Sequence, residues 1–218
     1  MTFRTLISRT PVPAAFILPA AIVAALGGCS SSPSAIQPVA VDGKTAAAAA
    51  IVALDKNGDA ELDDAELAAA PGMLKYKAKF DQNSDGRVSQ DEIRSRIDLW
   101  ADQGLGLKSV TVEVKLDGRT LPGAEVKFVP ESFLGEGPKA ASGITDVNGV
   151  TKVSVATEHL PEALQKARVR GLYGGLYRIE VTHPQRAIPS KYNSATTLGE
   201  EVAKDTTPDR ITLDLRSR

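Results

Sequence analysis

Two twelve-residue segments of this chain, 55–66 and 81–92, place oxygen-bearing groups at the same six positions, numbered 1, 3, 5, 7, 9 and 12 within each segment. In the first segment these groups belong to Asp55, Asn57, Asp59, Glu61 (through its backbone carbonyl), Asp63 and Glu66. In the second they belong to Asp81, Asn83, Asp85, Arg87 (through its backbone carbonyl), Ser89 and Glu92. Six oxygens within twelve residues converge on one point only if the chain turns sharply inside each segment.

The two segments differ at position 6, where such a turn needs a positive φ angle. Segment 81–92 has Gly86 there, and glycine adopts this conformation at no steric cost. Segment 55–66 has Ala60, whose Cβ makes the same conformation less favourable by roughly 1 kcal/mol. Position 9 favours segment 55–66 instead, because Asp63 adds a carboxylate that would attract a cation, where the other segment has Ser89. A strained turn also displaces the carbonyl at position 7, so we expect segment 81–92 to bind a cation more tightly.

The spacing resembles that of the EF-hand family over about residues 44–103. The resemblance implies that both segments are calcium loops between helices, and that Leu62 and Val88 at position 8 pair across the two loops. Calcium takes six to eight oxygen ligands, and a bidentate glutamate at position 12 completes such a set. The alternative is a pair of Asp/Asn/Gly turns that only cap helices. Two loops in tandem, each ending in glutamate, favour Ca²⁺ as the ligand.

The charge distribution is consistent with a cation site. Residues 44–103 carry twelve acidic residues against eight basic ones, while the whole chain has a net charge of −1. The sequence shows no basic face of the kind that binds nucleic acid.

Residues 1–28 have the composition of a secretory signal peptide, with Arg4 and Arg9 ahead of an apolar stretch that is too short to span a bilayer. The stretch ends in Leu26-Gly27-Gly28-Cys29, which resembles a bacterial lipobox. This resemblance implies that the signal is removed and that Cys29 carries the lipid anchor.

Cys29 is the only cysteine of the chain, so no intramolecular disulfide can form. Several acyl chains on one residue anchor a protein stably. By the sorting logic of bacterial lipoproteins, Ser30 at the next position favours the outer membrane of the cell envelope. Residues 29–43 are rich in Ser, Pro and Ala and predict a flexible tether.

Hydrophobic periodicity divides the rest of the chain into two parts. Helices are predicted over 45–54, 73–80 and 92–101, with Pro71-Gly72 ending the helix that leaves the first loop. From about residue 109 the period changes to two, and Asp117-Gly118 and Asn148-Gly149 mark hairpins. A short helical excursion is expected over 158–168. These patterns predict an α+β fold of two domains, a helical EF-hand pair at 44–103 and a small antiparallel β-sandwich at 108–218.

Residues 116–130 (LDGRTLPGAEVKFVP) and 145–150 (TDVNGV) resemble the carboxypeptidase regulatory-like, transthyretin-like domains. Residues 188–192 (IPSKY) resemble the bacterial lipoprotein branch of that group. The resemblance covers roughly residues 108–218. It implies a non-catalytic β-sandwich of the kind that is attached to other modules.

The sequence offers few groups for catalysis. The two histidines, His159 and His183, belong to no metal-binding helix motif, and the chain contains no nucleophile elbow or phosphate-binding glycine loop. We therefore expect a protein that is not an enzyme.

Three functional hypotheses remain open at this stage. The first is a membrane-anchored module in which calcium stabilises or orients the EF-hand pair and the sandwich. The second is an adhesion or carbohydrate-binding envelope protein, in which the sandwich binds the ligand and calcium is only structural. The third is an accessory domain of an envelope enzyme on another chain.

Overall fold

The computed structural model describes residues 41–104 and 106–218. The predicted signal peptide, the lipid attachment site Cys29 and nearly all of the predicted tether lie outside these residues. The described part combines helices with a curled, mainly antiparallel sheet, which confirms the predicted α+β class. All of it belongs to one compact unit.

The described residues contain six α-helices, twelve strands and three short 3₁₀ turns. The helices are α1 (Gly43–Leu54), α2 (Asp64–Leu67), α3 (Pro71–Lys75), α4 (Lys77–Phe80), α5 (Gln90–Asp102) and α6 (Glu162–Lys166). The strands are β1 (Glu61–Leu62), β2 (Val88–Ser89), β3 (Leu107–Lys108), β4 (Val110–Leu116), β5 (Arg119–Thr120), β6 (Glu125–Pro130), β7 (Ala141–Ile144), β8 (Val150–Val155), β9 (Leu172–Tyr173), β10 (Gly175–Thr182), β11 (Gly199–Val202) and β12 (Arg210–Leu215). The 3₁₀ turns are Ser132–Leu134, Thr157–His159 and Ser190–Tyr192.

The predicted helices occur with changed boundaries. The helix expected over 73–80 is divided into α3 and α4 at Tyr76, whose φ and ψ of −108° and 23° leave the helical region. Pro71 stands at the first position of α3, where its fixed φ suits a helix start and its missing N–H costs nothing. The predicted break is thus the beginning of the next helix, since α2 already ends at Leu67. The excursion expected over 158–168 is a 3₁₀ turn followed by α6.

Residues at the C-terminal end of each loop start the helix that follows it. Asp63 and Ser89 are the N-caps of α2 and α5, and each forms a capping box with the glutamate three residues later, Glu66 or Glu92. On α5 the apolar residues Ile93, Ile97 and Trp100 are buried, as their i, i+4, i+7 spacing predicts.

Eight strands form one sheet in the order β11-β10-β6-β7-β8-β4-β12, with β5 paired to β4. The hairpins predicted at Asp117-Gly118 and Asn148-Gly149 are present, and the alternating valines of β4 face the core. Two features were not predicted from the sequence. β12 runs parallel to β4, and the hydrogen bonds pass without interruption along the whole strand order, so a single sheet curls around the core.

The sheet core is made of buried residues from strands throughout this order and from β9, which pairs with β3 outside it. Its largest members include Phe128, Tyr177, Ile179 and Leu172, and Phe128 and Tyr177 pack edge to face with ring centroids 6.0 Å apart. A second apolar cluster joins the helices to the sheet, because Phe133, Leu134, Leu176 and Ala203 pack with the buried residues of α1 to α5.

Strand β11 is the place where the helices meet the sheet. Arg96 of α5 forms two hydrogen bonds with the carboxylate of Glu201, at 2.6 and 2.8 Å, and Trp100 donates its indole N–H to the same group at 2.9 Å. Arg96 also pairs with Asp205 at 2.9 Å. The side chains of Arg96 and Glu201 are 4% and 0% exposed, so both charges are removed from water and satisfied by each other.

A second buried carboxylate on β11 is held by α3 and the residue after it. Glu200 accepts hydrogen bonds from the ammonium group of Lys75 at 2.6 Å and from the hydroxyl of Tyr76. The backbones also approach closely, since a Cβ added to Gly199 would lie 2.1 Å from the amide nitrogen of Gly72. The two twelve-residue loops are therefore attached to the sheet through α3, which follows α2 after the first loop, and α5, which follows the second.

No helix in the described part of the chain is both long enough and apolar enough to cross a bilayer.

Candidate metal centre

The two twelve-residue loops lie side by side and are joined by a short antiparallel pair of strands. β1 and β2 pair with Leu62 opposite Val88 and Glu61 opposite Ser89. Both Leu62 and Val88 are fully buried. The pairing of position 8 with position 8 that the sequence predicted is confirmed.

Loop 55–66 brings three carboxylates together. One oxygen each from Asp55, Asp59 and Glu66 lies within 4.8 Å of the others, which is close enough for a single metal ion to contact all three. Among residues 41–104 and 106–218 this is the one group of three acidic, histidine or cysteine side chains found in such an arrangement. Glu66 is 4% exposed, whereas Asp59 is exposed, so the group opens to solvent on one side.

Backbone N–H groups hold these carboxylates in place. Asp55 accepts from the amides of Gly58 at 2.6 Å and Ala60 at 3.0 Å. Glu66 accepts from Lys56 at 2.9 Å, Asn57 at 3.2 Å and Asp63 at 3.0 Å. The loop backbone is thus wrapped around the carboxylates at positions 1 and 12.

Loop 81–92 has the same framework with the corresponding residues. Asp81 accepts from the amides of Asp85 at 3.1 Å and Gly86 at 2.9 Å. Glu92 accepts from Gln82 at 2.9 Å, Asn83 at 3.3 Å and Ser89 at 2.9 Å. Hydrogen bonds from position 2, 3 and 9 amides to the position 12 glutamate therefore recur in both loops, which a mere pair of unrelated turns would not produce.

The remaining predicted ligands have defined places. Asn57 and Asn83 at position 3 hydrogen-bond to the position 5 aspartates, Asp59 and Asp85. The residues at position 9 are engaged at the helix starts: Asp63 accepts from the amides of Ala65 and Glu66, and Ser89 donates to Glu92 at 2.8 Å. Of the two residues expected to contribute carbonyls, Glu61 is the first residue of β1 and Arg87 immediately precedes β2.

Hydrogen bonds favour the charged form of Glu66, Asp85 and Glu92. The pKa of Glu66 is lowered mainly by the amides of Asp63 and Lys56, and that of Asp85 by the amide of Arg87. Burial alone would raise the pKa of Glu92, but its hydrogen bonds from Ser89, Asn83 and Gln82 outweigh burial and lower it. Ionised carboxylates are the form that binds a hard cation.

The position 6 residues have the predicted positive φ, 66° at Ala60 and 87° at Gly86. Position 4 has the same conformation in both loops, with φ of 80° at Gly58 and 61° at Ser84. Each loop therefore has one glycine and one non-glycine residue in the left-handed region. The backbone cost that the sequence analysis assigned to loop 55–66 alone is matched by a similar cost at Ser84.

Arg87 connects the two loops through its side chain as well as its backbone. Its guanidinium group hydrogen-bonds to the carboxylate of Asp59 and lies 3.7 Å from that of Glu61. The pKa of Asp59 is lowered first by the amide of Glu61 and then by Arg87. A cationic side chain from the second loop thus contacts one of the three carboxylates of the first.

Searches of protein-family models, curated proteins and solved structures find no match to this chain.

Sequence reasoning missed two charged groups that the structure shows to be buried. One is Glu200-Glu201, an acidic pair in a strand that no alternating pattern announced. The other is Glu131, which is 5% exposed and precedes the 3₁₀ turn that packs on α1. Only adjacency to apolar residues such as Val202, Ala203 and Phe133 hinted at burial, and that signal is weak without knowledge of the distant partners.

Proposed function

We propose that this chain is a calcium-binding, non-catalytic lipoprotein of the bacterial cell envelope. In this proposal residues 44–103 form an EF-hand pair, residues 108–218 a transthyretin-like domain, and calcium stabilises or orients the two as one module. The observation that carries the proposal is the shared framework of the two loops, together with the convergence of Asp55, Asp59 and Glu66 within 4.8 Å.

The donor set favours calcium over softer metals. Every candidate ligand is a carboxylate, amide, hydroxyl or carbonyl oxygen, and no thiolate or imidazole lies in either loop. The residues that would hold the ions are those at positions 1, 3, 5, 7, 9 and 12, as the resemblance to EF-hands implies. A bound cation would supply the positive charge that offsets the repulsion between the clustered carboxylates.

The surroundings of the protein set the affinity that is needed. Outside the cytoplasm calcium is abundant, and extracellular modules of this kind work with dissociation constants of about 10⁻⁴ to 10⁻³ M. The lipid anchor at Cys29 is a separate part of the proposal. It predicts that Cys29→Ser abolishes incorporation of labelled fatty acid and releases the chain from the membrane fraction.

The calcium assignment is tested by calorimetric titration of the purified full chain with Ca²⁺ and, separately, with Mg²⁺. We expect two calcium sites, of which Glu66→Gln removes one and Glu92→Gln the other, because each removes a bidentate ligand. Glu136→Gln, an exposed glutamate outside the loops, serves as the control and should leave both sites intact. Calcium binding that survives both loop substitutions would show that the ions bind elsewhere.

A further inference from the structure

A cleft of about 530 Å³ lies between β7, the end of β8 and α6, at a distance along the chain from the metal loops. Its lining includes Ser142, Thr157, Gln165, Arg168 and Arg170, together with the buried Leu160. This volume is within the range of sites that bind small molecules. The mixture of hydroxyl, amide and guanidinium groups suits a polar ligand.

The two arginines give the cleft an unbalanced positive charge. Within the described part of the chain, neither Arg168 nor Arg170 forms an ion pair or a side-chain hydrogen bond. The nearby Glu162 is paired with Lys166 at 2.6 Å instead. Two arginines that line one cleft, each with its full set of guanidinium donors available, are suited to a carboxylate or phosphate, which a guanidinium group can bind in a bidentate manner.

Arg168 occupies a backbone position that normally belongs to glycine. It follows the C-cap of α6 with a φ of 53°, and the amides of Arg168 and Val169 donate to the carbonyls of Gln165 and Leu164. These are the two hydrogen bonds of a Schellman motif, in which glycine is the usual residue at this position. Non-glycine residues that adopt the left-handed conformation at a steric cost cluster at functional sites.

The other polar groups of the cleft divide into two kinds. Gln165 donates to the carbonyl of Leu160 at 2.7 Å, and Ser154 accepts from the amide of Gly171 at 3.3 Å, so both hold the walls of the cleft together. The hydroxyls of Ser142 and Thr157 have no hydrogen-bond partner among residues 41–104 and 106–218. They remain available to the hydroxyl groups of a ligand.

We propose that this cleft binds a small, hydroxylated oxyanion, with the carboxylate or phosphate of a sugar acid or sugar phosphate held by Arg168 and Arg170. The binding needs no metal ion and is independent of the calcium loops. It supplies the ligand site that the second functional hypothesis places on the sheet domain, and the volume of the cleft accommodates a single charged sugar unit with room to spare.

The test is calorimetric titration of the purified full chain with four probes: glucuronate, glucose 6-phosphate, inorganic phosphate and uncharged glucose. We expect saturable binding of at least one charged sugar, weakened by added salt because the attraction is partly Coulombic, and at least tenfold weaker binding of glucose. Glucuronate and glucose 6-phosphate distinguish a planar carboxylate from a tetrahedral phosphate as the preferred group. Binding should persist in the presence of a calcium chelator, which separates this proposal from the calcium assignment.

Three variants sharpen the result. Arg170→Gln removes one guanidinium, and Arg168→Gly removes the other while relieving its backbone strain, so each should weaken binding about tenfold or more. The thermal midpoint of Arg168→Gly should not fall, because glycine adopts the left-handed conformation freely. Arg119→Gln, an exposed arginine on β5, makes the same change of charge elsewhere and should bind like the unaltered chain.

Two results would overturn the proposal. One is the absence of saturable binding of both glucuronate and glucose 6-phosphate up to about 10 mM, whether or not inorganic phosphate binds. The other is a loss of affinity in Arg119→Gln as large as in Arg170→Gln, which would show that net charge alone attracts the anion. If Arg168→Gly lowers stability, Arg170→Gln decides the matter, since it introduces no glycine into the turn that follows α6.

Discussion

Glu131 combines nearly complete burial with an incomplete set of partners. One of its carboxylate oxygens has no hydrogen-bond partner among the described residues, and the other lies 3.5 Å from Nε of Arg178. Burial raises the pKa of Glu131 to about 7, although the charge of Arg178 acts in the opposite direction. An ionised Glu131, with only one of its two oxygens near a partner, therefore lowers the stability of the folded chain near neutral pH.

The pH dependence follows from the sign of this shift. Because the pKa is higher in the folded chain than in the unfolded one, the contribution of Glu131 is fully favourable below about pH 4.5 and is lost as the pH rises through 7. We expect Glu131→Gln to stabilise the protein at pH 8 by roughly 2–3 kcal/mol and to change little at pH 4. Urea unfolding at both pH values measures this, with the exposed Glu125→Gln as control. Equal effects of the two substitutions at pH 8 would contradict the assignment.

The backbone conformations of the loops make a second prediction at this scale. Since each loop holds one non-glycine residue at positive φ, Ala60→Gly and Ser84→Gly should strengthen the first and second calcium sites by similar amounts. The gain is on the order of 1 kcal/mol, or about fivefold in affinity. Calorimetric titration of the two variants measures it. A gain confined to Ala60→Gly would restore the original expectation that the first loop alone is strained.

Arg87 would compete with the proposed calcium ion for Asp59, because its guanidinium group contacts that carboxylate. The contact is partly exposed to solvent, where a pair of charges is worth on the order of 1 kcal/mol. Arg87→Gln should therefore tighten calcium binding to loop 55–66 by up to about fivefold and leave loop 81–92 nearly unchanged. Arg94→Gln, which breaks the exposed pair with Asp98 on α5, is the matched control. If both variants shift the same site equally, general charge rather than this contact is responsible.

At the scale of elements, the attachment of α3 to β11 depends on two glycines. A Cβ on Gly199 would overlap the backbone of Pro71 and Gly72. Neither α3 nor β11 can shift to make room without disturbing the contacts of Glu200. We expect Gly199→Ala to lower the free energy of unfolding by about 1–3 kcal/mol, the usual cost of overpacking. Chemical unfolding followed by circular dichroism measures this change.

A control separates overlap from backbone strain in that experiment. Gly104 has a φ of 60° and no atom near its would-be Cβ, so Gly104→Ala should cost only about 1 kcal/mol. It should also leave the environment of Trp100 unchanged, whereas Gly199→Ala should alter the fluorescence of that residue. Indistinguishable spectra of the two variants would argue against a tight contact between α3 and β11.

The elements differ in how much of them the sequence could predict. The loops and the start of α5 were predictable because their ligands, caps and turns all lie within twelve consecutive residues. The hairpins at Asp117-Gly118 and Asn148-Gly149 are equally local. β11 was not predictable, because its acidic residues are stable in a buried strand only through Arg96, Lys75 and Tyr76, more than a hundred residues earlier. The parallel pairing of β12 with β4 was not predictable either, because it joins residues that are far apart in the sequence.

At the scale of the whole molecule, the shared apolar cluster and the ion pairs at β11 couple the two twelve-residue loops to the sheet. Breaking a buried pair such as Arg96–Glu201 costs about 3–5 kcal/mol, more than a single calcium site is expected to contribute. We therefore expect one cooperative unfolding transition for the described region rather than separate melting of helices and sheet.

Calcium should raise the midpoint temperature of this single transition, with helices and sheet still unfolding together. At a hundredfold excess over the dissociation constant one site adds about 2.7 kcal/mol, which corresponds to roughly 5–10 °C for a chain of this size. The fluorescence of Trp100, the only tryptophan of the chain, reports the contact between α5 and β11. Circular dichroism reports the sheet. Both midpoints should move together when chelator is replaced by calcium. A Trp100 transition that separates from that of the sheet would show two independent domains.

The covering of β11 has a consequence for solubility. β11 is the terminal strand in the order of the main sheet, and such a strand offers unpaired backbone groups that can template pairing with another chain. In this protein α3 packs against it, so the helical part of the chain also covers a sheet edge. If calcium binds the loops as proposed, removing it should loosen α3, uncover this strand and promote self-association, which light scattering of the chelated protein would detect. If the chain is also anchored in a membrane as proposed, its high local density there would favour aggregation when metal is depleted.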